Sequence, residues 1–167
     1  YTKRGVTGTT NGLTGEACVN PELPDILLPF SMSHEMSHRM CIYTEEDANF
    51  AAFLTGHVNE SIEYRYSAYF MAYRYCYTSL VTANNPEASA AAARVNQGVC
   101  TELYQDMQSY NKFFSNIGGS GGHSDTAAGA KLSMIIAPMF RARLPIVTDR
   151  VGCISTPGRD IDVLVTQ

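Results

Sequence analysis

His34-Glu35-Met36-Ser37-His38 sets two imidazoles and a carboxylate in an H-E-x-x-H spacing. The chain has 4 histidines in 167 residues, so chance would produce such a match roughly 0.005 times. On a helix, residues i and i+4 share one face about 5–6 Å apart. Two rings so placed can bind one zinc at about 2.0–2.1 Å each. Glu35 follows the first ring and projects near the open side of such a metal. A carboxylate there takes a proton from the water on the zinc and passes it to a leaving amine. The spacing therefore assigns His34 and His38 as metal ligands and Glu35 as the catalytic base, then acid.

A catalytic zinc needs a third protein ligand, with the fourth position left to water. The extension H-E-x-x-H-x-x-G-x-x-H fails here, because Cys41 stands at the glycine position and Thr44 at the last histidine. The other common choice is a glutamate from a following helix. Glu45-Glu46-Asp47-Ala48-Asn49 offers candidates. The short turn from Arg39 to Thr44 lets a second helix fold back with its first turn facing the metal. Successive helical residues point about 100° apart, so only one of Glu45 and Glu46 faces the zinc well. Asp47 lies three residues after Thr44, as in a capping box with Asp in place of Glu.

The elements that position these groups are predicted to be mainly α-helical, with little or no β-sheet. Residues 1–30 read as a long loop, punctuated by Gly5, Gly8, Gly12 and Gly15 and then Pro21, Pro24 and Pro29. A first helix is expected from Ser31 to about Met40, with Ser31 or Ser33 as its cap. A second, capped by Thr44, ends near Gly56. A third runs from Asn59 to Thr82, with Ile62, Tyr66, Tyr69, Phe70, Tyr73 and Leu80 as its apolar face. Asn84-Asn85-Pro86 breaks it. A fourth is expected from Pro86 to about Asn116. Gly118 to Gly122 reads as a flexible turn, Ala127 to Phe140 as a helix interrupted at Pro138, and Ile161 to Val165 as a short strand or helical turn. The whole of 1–167 is expected to be one domain, with its helical core and zinc site in 31–116.

Composition narrows the function class. Hydrophobic residues make up 45% and charged residues 17%, so a core can form and intrinsic disorder is excluded. The net charge of −4 carries no basic stripe, which argues against a nucleic-acid partner. Apolar runs such as Met134 to Phe140 are far shorter than the ~20 residues of a membrane span. Five cysteines form no Cys-x-x-Cys pair, which speaks against a thiolate zinc site; the expectation is a few buried free thiols, with one disulfide left open. His57 is expected at a helix end and His123 beside the glycine turn, both solvated. The tyrosines between Tyr64 and Tyr77 are expected in the core or at an interface, with one a possible oxyanion donor. Arg65 and Arg74 read as surface or ion-pair residues.

The segment from His34 to Phe50 resembles the gluzincin metallopeptidases, in which H-E-x-x-H is followed by E-x-x-A-N or E-x-x-A-D. The resemblance implies Glu45 as the third zinc ligand, ahead of Glu46, and Asn49 as a residue bracing the zinc helix by hydrogen bonding. Gly15-Glu16-Ala17-Cys18-Val19-Asn20, Pro29-Phe30 and His34 to Phe53 are further similar to an uncharacterised bacterial family. Its members carry N-terminal transmembrane helices before a zincin-like domain. Over about residues 5 to 115 this implies a Zn2+ peptidase acting on a peptide or protein. It also implies a parent protein anchored in the membrane by segments absent from this chain, with this domain outside the cytoplasm. The alternative is a zinc-binding sensor or scaffold that has kept the site and lost hydrolysis. The presence of Glu35 counts for the enzyme.

Overall fold

The computed structural model describes residues 6–83 and 85–116. The expected glycine turn, His123, the helix Ala127 to Phe140 and the segment Ile161 to Val165 lie outside these residues. The described chain is mainly α-helical, as its patterning predicts. Its elements are β1 (Gly8–Thr10), β2 (Ala17–Val19), a 3-10 turn (Asp25–Leu27), α1 (Leu28–Arg39), α2 (Glu45–His57), α3 (Ile62–Thr82), α4 (Pro86–Gln97) and α5 (Thr101–Asn116). None of the helices among the described residues is long and apolar enough to cross a membrane.

The N-terminal region is more ordered than its glycine spacing suggested. β1 and β2 form an antiparallel hairpin pairing Gly8 with Val19, Thr9 with Cys18 and Thr10 with Ala17. Asn11 and Glu16 close the loop through an Asn11 N to Glu16 O bond of 2.8 Å, and Gly15 takes a left-handed φ of 69° there. Asn20, almost fully buried, locks the base: its backbone N donates to Thr7 O at 2.8 Å and its Oδ1 accepts from Glu22 N at 3.0 Å.

Three helix boundaries also differ from expectation. α1 begins at Leu28, before Ser31, because Pro29 fits the first helical turn, where its missing N–H is no loss. Ser33 is therefore no cap; its hydroxyl donates back to Pro29 O at 3.0 Å. Ser61, and no residue before it, caps α3 by accepting from Tyr64 N. Residues 86–116 form two helices, not one. The break falls at Gly98, a poor helix former. It sends the alanine face of α4 (Ala88, Ala91, Ala92) to a small core with Leu80, while Leu103 and Tyr110 of α5 enter the main core.

The main core joins Phe30 of α1, Phe53 of α2 and Phe70 of α3 with those two α5 residues. On α3, Ala68, Met71, Ala72 and Tyr75 are buried, whereas the expected Ile62, Tyr66 and Tyr73 are only half-buried. Ser67, fully buried on α3, donates to Ile26 O and accepts from Phe30 N at 3.1 Å. It ties α3 to the start of α1. Of the cysteines, Cys18 and Cys41 are free but exposed, against the expectation of burial, and Cys76 is free and half-buried.

Candidate metal centre

α1 and α2 pack against each other, and the hairpin lies on another side of α1. The turn between the two helices decides the site. α1 ends in a left-handed cap at Cys41, φ 66°. Cys41 N donates to His38 O at 3.0 Å and Ile42 N to Ser37 O at 3.1 Å. This is the paired-bond pattern of a helix terminated by a left-handed residue. Thr44 then caps α2, accepting from Asp47 N at 3.2 Å and donating to Asp47 Oδ2 at 2.7 Å, so the Asp47 side chain meets the Thr44 hydroxyl and not its backbone N–H as a capping box would have it.

These two caps bring Glu45, the first residue of α2, over the histidines. His34 Nε2 and His38 Nε2 are 3.0 Å apart. Glu45 Oε2 lies 3.2 Å from the first and Oε1 3.5 Å from the second. One ligating atom from each residue falls within 4.8 Å of the others, the only such group among the described residues. Glu46 and Asp47 are not in it, which favours Glu45 over Glu46.

The donor set fits a zinc ion. Four tetrahedral ligands at about 2.0–2.1 Å stand about 3.3–3.4 Å from one another; here the two ring nitrogens are 3.0 Å apart and each faces a different Glu45 oxygen, at 3.2 and 3.5 Å. His38 Nδ1 is 2.7 Å from Ile42 O. A carbonyl can only accept, so Nδ1 carries the proton, and in the neutral ring Nε2 is a bare lone pair. His34 Nδ1 is buried without a hydrogen-bond partner. With both rings neutral, the facing atoms offer lone pairs to a cation. The Glu45 side chain is 61% exposed, leaving that side open to water.

Glu35 stands apart from this group. On α1, at about 100° per residue, it points about 100° from His34 and about 60° from His38, toward the hairpin. It is 4% exposed, an unusual burial for a carboxylate with no cationic partner. The single hydroxyl proton of Thr10 Oγ1 is shared between Glu35 Oε2 at 2.8 Å and Glu35 O at 2.9 Å. Gly8 lies so close that a Cβ there would meet Glu35 Oε1 at 2.6 Å. The sequence pointed to neither Gly8 nor Thr10. Their only signal is a glycine and a threonine two apart, which share a face once the segment is a strand.

The remaining candidates fall elsewhere. Asn49 is buried on α2, but among the described residues it forms no side-chain hydrogen bond to α1, so the expected bracing bond is absent. His57 is near the far end of α2, twelve residues or about 18 Å beyond Glu45. Its Nδ1 is 2.9 Å from Tyr69 OH and its ring stacks on Phe53, which corrects the solvated reading. Tyr66 OH donates to Asp106 at 2.6 Å. Burial, with that carboxylate, raises its pKa well above the usual phenol range. Arg74 lies over the Tyr110 ring at 3.4 Å, so it is a packed cation and not a surface ion pair. Arg65 Nε is buried without a hydrogen bond.

Comparison with known proteins finds two likenesses. Residues 114–167, nearly all beyond the described structure, match the family model of the citrate lyase alpha subunit. The citrate lyase alpha chain of Klebsiella pneumoniae is 59% identical over 50 residues, covering 30% of this chain and 10% of that protein. The Haemophilus influenzae citrate lyase alpha chain is 37% identical over 94 residues, covering 51% of this chain and 18% of that protein. The chain thus spans between a tenth and a fifth of the curated relatives it matches. No solved structure matches. The part that builds the hairpin, the helices and the metal centre lies within the other likeness: residues 1–121 match the model described as protein of unknown function (DUF3810), and the chain belongs to that family.

Proposed function

We propose that this chain is a zinc-dependent peptidase that hydrolyses peptide bonds in a peptide or protein substrate. The observation that carries the reading is the convergence of His34 Nε2, His38 Nε2 and a Glu45 carboxylate oxygen at 3.0–3.5 Å, open to water on one side. These three residues would hold the ion. Zinc there would acidify a water toward a pKa of about 7 and polarise the scissile carbonyl.

The chain's own groups do the rest. His38, fixed by its Nδ1 bond to Ile42 O, keeps Nε2 free as a ligand. Glu35 accepts a proton from the attacking water and delivers it to the leaving amine. Its Oε2 is engaged by Thr10. Oε1 takes no hydrogen bond from the described residues, so Oε1 is the oxygen left to receive the proton. The family model of the citrate lyase alpha subunit matches residues 114–167, away from this site.

The test is metal content followed by turnover of fluorescein-labelled casein. Protein purified without chelator is expected to hold about one zinc per chain. Glu35→Gln is expected to keep the metal and the fold and to lose at least ~10²–10⁴-fold in turnover. A protein that neither carries nor takes up zinc would sink the reading. Full turnover in Glu35→Gln would reject the mechanism.

A further inference from the structure

The Glu35 carboxylate is nearly sealed from solvent, yet among the described residues no cation neutralises it and no residue of the helical bundle bonds to it. Its only described hydrogen-bond donor comes from outside the bundle. Thr10 sits on β1, twenty-five residues away in sequence, and one hydroxyl serves both the Glu35 side chain and its backbone carbonyl. Its one proton is divided between the two acceptors, and the hydroxyl holds Oε2 beside the backbone of its own helix. A hydroxyl that reached only the carboxylate would leave it free to swing with χ1 and χ2. Gly8, on the same face of β1, leaves no room for a Cβ against Oε1, Cδ or Cγ. β1 therefore forms a two-point cradle, with a donor on Oε2 and a bare backbone beside Oε1.

From this we infer that Thr10 is the positioning residue for Glu35, and that Gly8 is needed beside it as the wall that lets the carboxylate present Oε1. The inference rests on the proposed peptidase reading for its catalytic purpose, and the contact itself stands on the hairpin geometry alone. Thr10 touches no reacting atom in this scheme. It holds one carboxylate oxygen so that the other is left to move the proton. Positioning of this kind shows in turnover more than in substrate binding, since a misplacement of about 1 Å can cost on the order of 10² in rate.

The test uses the whole chain and three variants: Thr10→Val, which keeps shape and removes the hydroxyl, Thr10→Ser, which restores it, and Glu35→Gln as reference. The first readout needs neither metal nor activity. In metal-free protein carrying 13C-labelled glutamate, the Glu35 Cδ resonance, assigned by its loss in Glu35→Gln, is expected to move in Thr10→Val. It is expected to return toward wild type in Thr10→Ser. An unmoved resonance in a folded Thr10→Val would overturn the inference. The second readout is the visible spectrum of the cobalt-loaded protein, with cobalt alone as the probe. Thr10→Val is expected to bind cobalt as wild type does, with its band shifted toward that of Glu35→Gln, and Thr10→Ser is expected to restore the band. On labelled casein, kcat is expected to fall about 10-fold or more with KM little changed. A moved resonance with an unchanged cobalt band and unchanged kcat would make Thr10 merely structural and overturn the positioning role. Failure of the wild-type chain to bind cobalt or zinc would instead remove the peptidase reading, and the catalytic purpose of the cradle with it, while the resonance still reports the contact.

Discussion

His38 Nδ1 donates to the carbonyl oxygen of Ile42 at 2.7 Å, and this bond orients the ring whose Nε2 faces Glu45. The carbonyl reaches back only because Cys41 turns left-handed and reverses the chain. The proposed metal centre thus depends on the turn between its helices as well as on its three candidate ligands. His34→Ala, His38→Ala and Glu45→Gln are each expected to lose zinc in a chelator competition. Glu46→Gln is expected to retain it, because Glu46 is not among the converging groups. Loss of metal in Glu46→Gln with retention in Glu45→Gln would reassign the third ligand.

Cys41 holds a conformation that costs an L-residue roughly 1 kcal/mol and glycine nothing. Its side chain is exposed. Cys41→Gly is expected to raise the unfolding free energy by up to about 1 kcal/mol, without loss of zinc, in a urea titration. A clear destabilisation would mean that the cysteine side chain itself holds the turn.

At Gly56, α2 approaches α3 closely. A Cβ there would stand 2.5 Å from Ala68 Cβ and 2.8 Å from Tyr64 O. Neither neighbour can move aside cheaply, one being a backbone oxygen and the other a short buried side chain. Gly56→Ala is expected to destabilise by about 1–3 kcal/mol despite the higher helix propensity of alanine. Thermal unfolding measures it, and a neutral or stabilised variant would contradict the packing.

Alkaline pH should loosen the fold. Burial raises the pKa of Tyr69 and pushes Tyr73 up to about 12; the Cys76 thiol is likewise pushed from 9.0 up to about 12. Above the ordinary values of these groups the folded chain keeps protons that the unfolded chain releases. Stability therefore falls as pH rises, beginning near 9 and continuing to about 12. Urea midpoints are expected to hold between pH 7 and 9 and to decline above that. Tyr73→Phe should make the decline shallower, and midpoints flat to pH 11 would refute the argument.

Much of the site was legible because helical spacing is local. H-E-x-x-H puts two rings on one face whatever surrounds it, and Thr44 with Asp47 starts a helix from neighbouring residues alone. The hairpin was not legible. Its strands are three residues long, too short for alternation to show, and its glycines read as loop. The break at Gly98 was missed although Val95-Asn96-Gln97-Gly98-Val99-Cys100-Thr101 holds mostly weak helix formers; the alanine-rich start of α4 outweighed them, and the two separate cores show the turn.

The sequence by itself determined the chemistry available and its order along the chain: two imidazoles four apart, a carboxylate between them, and acidic residues at the start of the next helix. These follow from backbone period and capping, which act over a few residues. The tertiary structure decided which acid meets the histidines and what surrounds Glu35. Glu45 is selected by the angle at which the left-handed turn returns α2 to α1. Glu35 is buried by β1, whose Gly8 and Thr10 reach it from twenty-five or more residues away. No local rule could have joined them, since the contact exists only once the hairpin has folded onto α1.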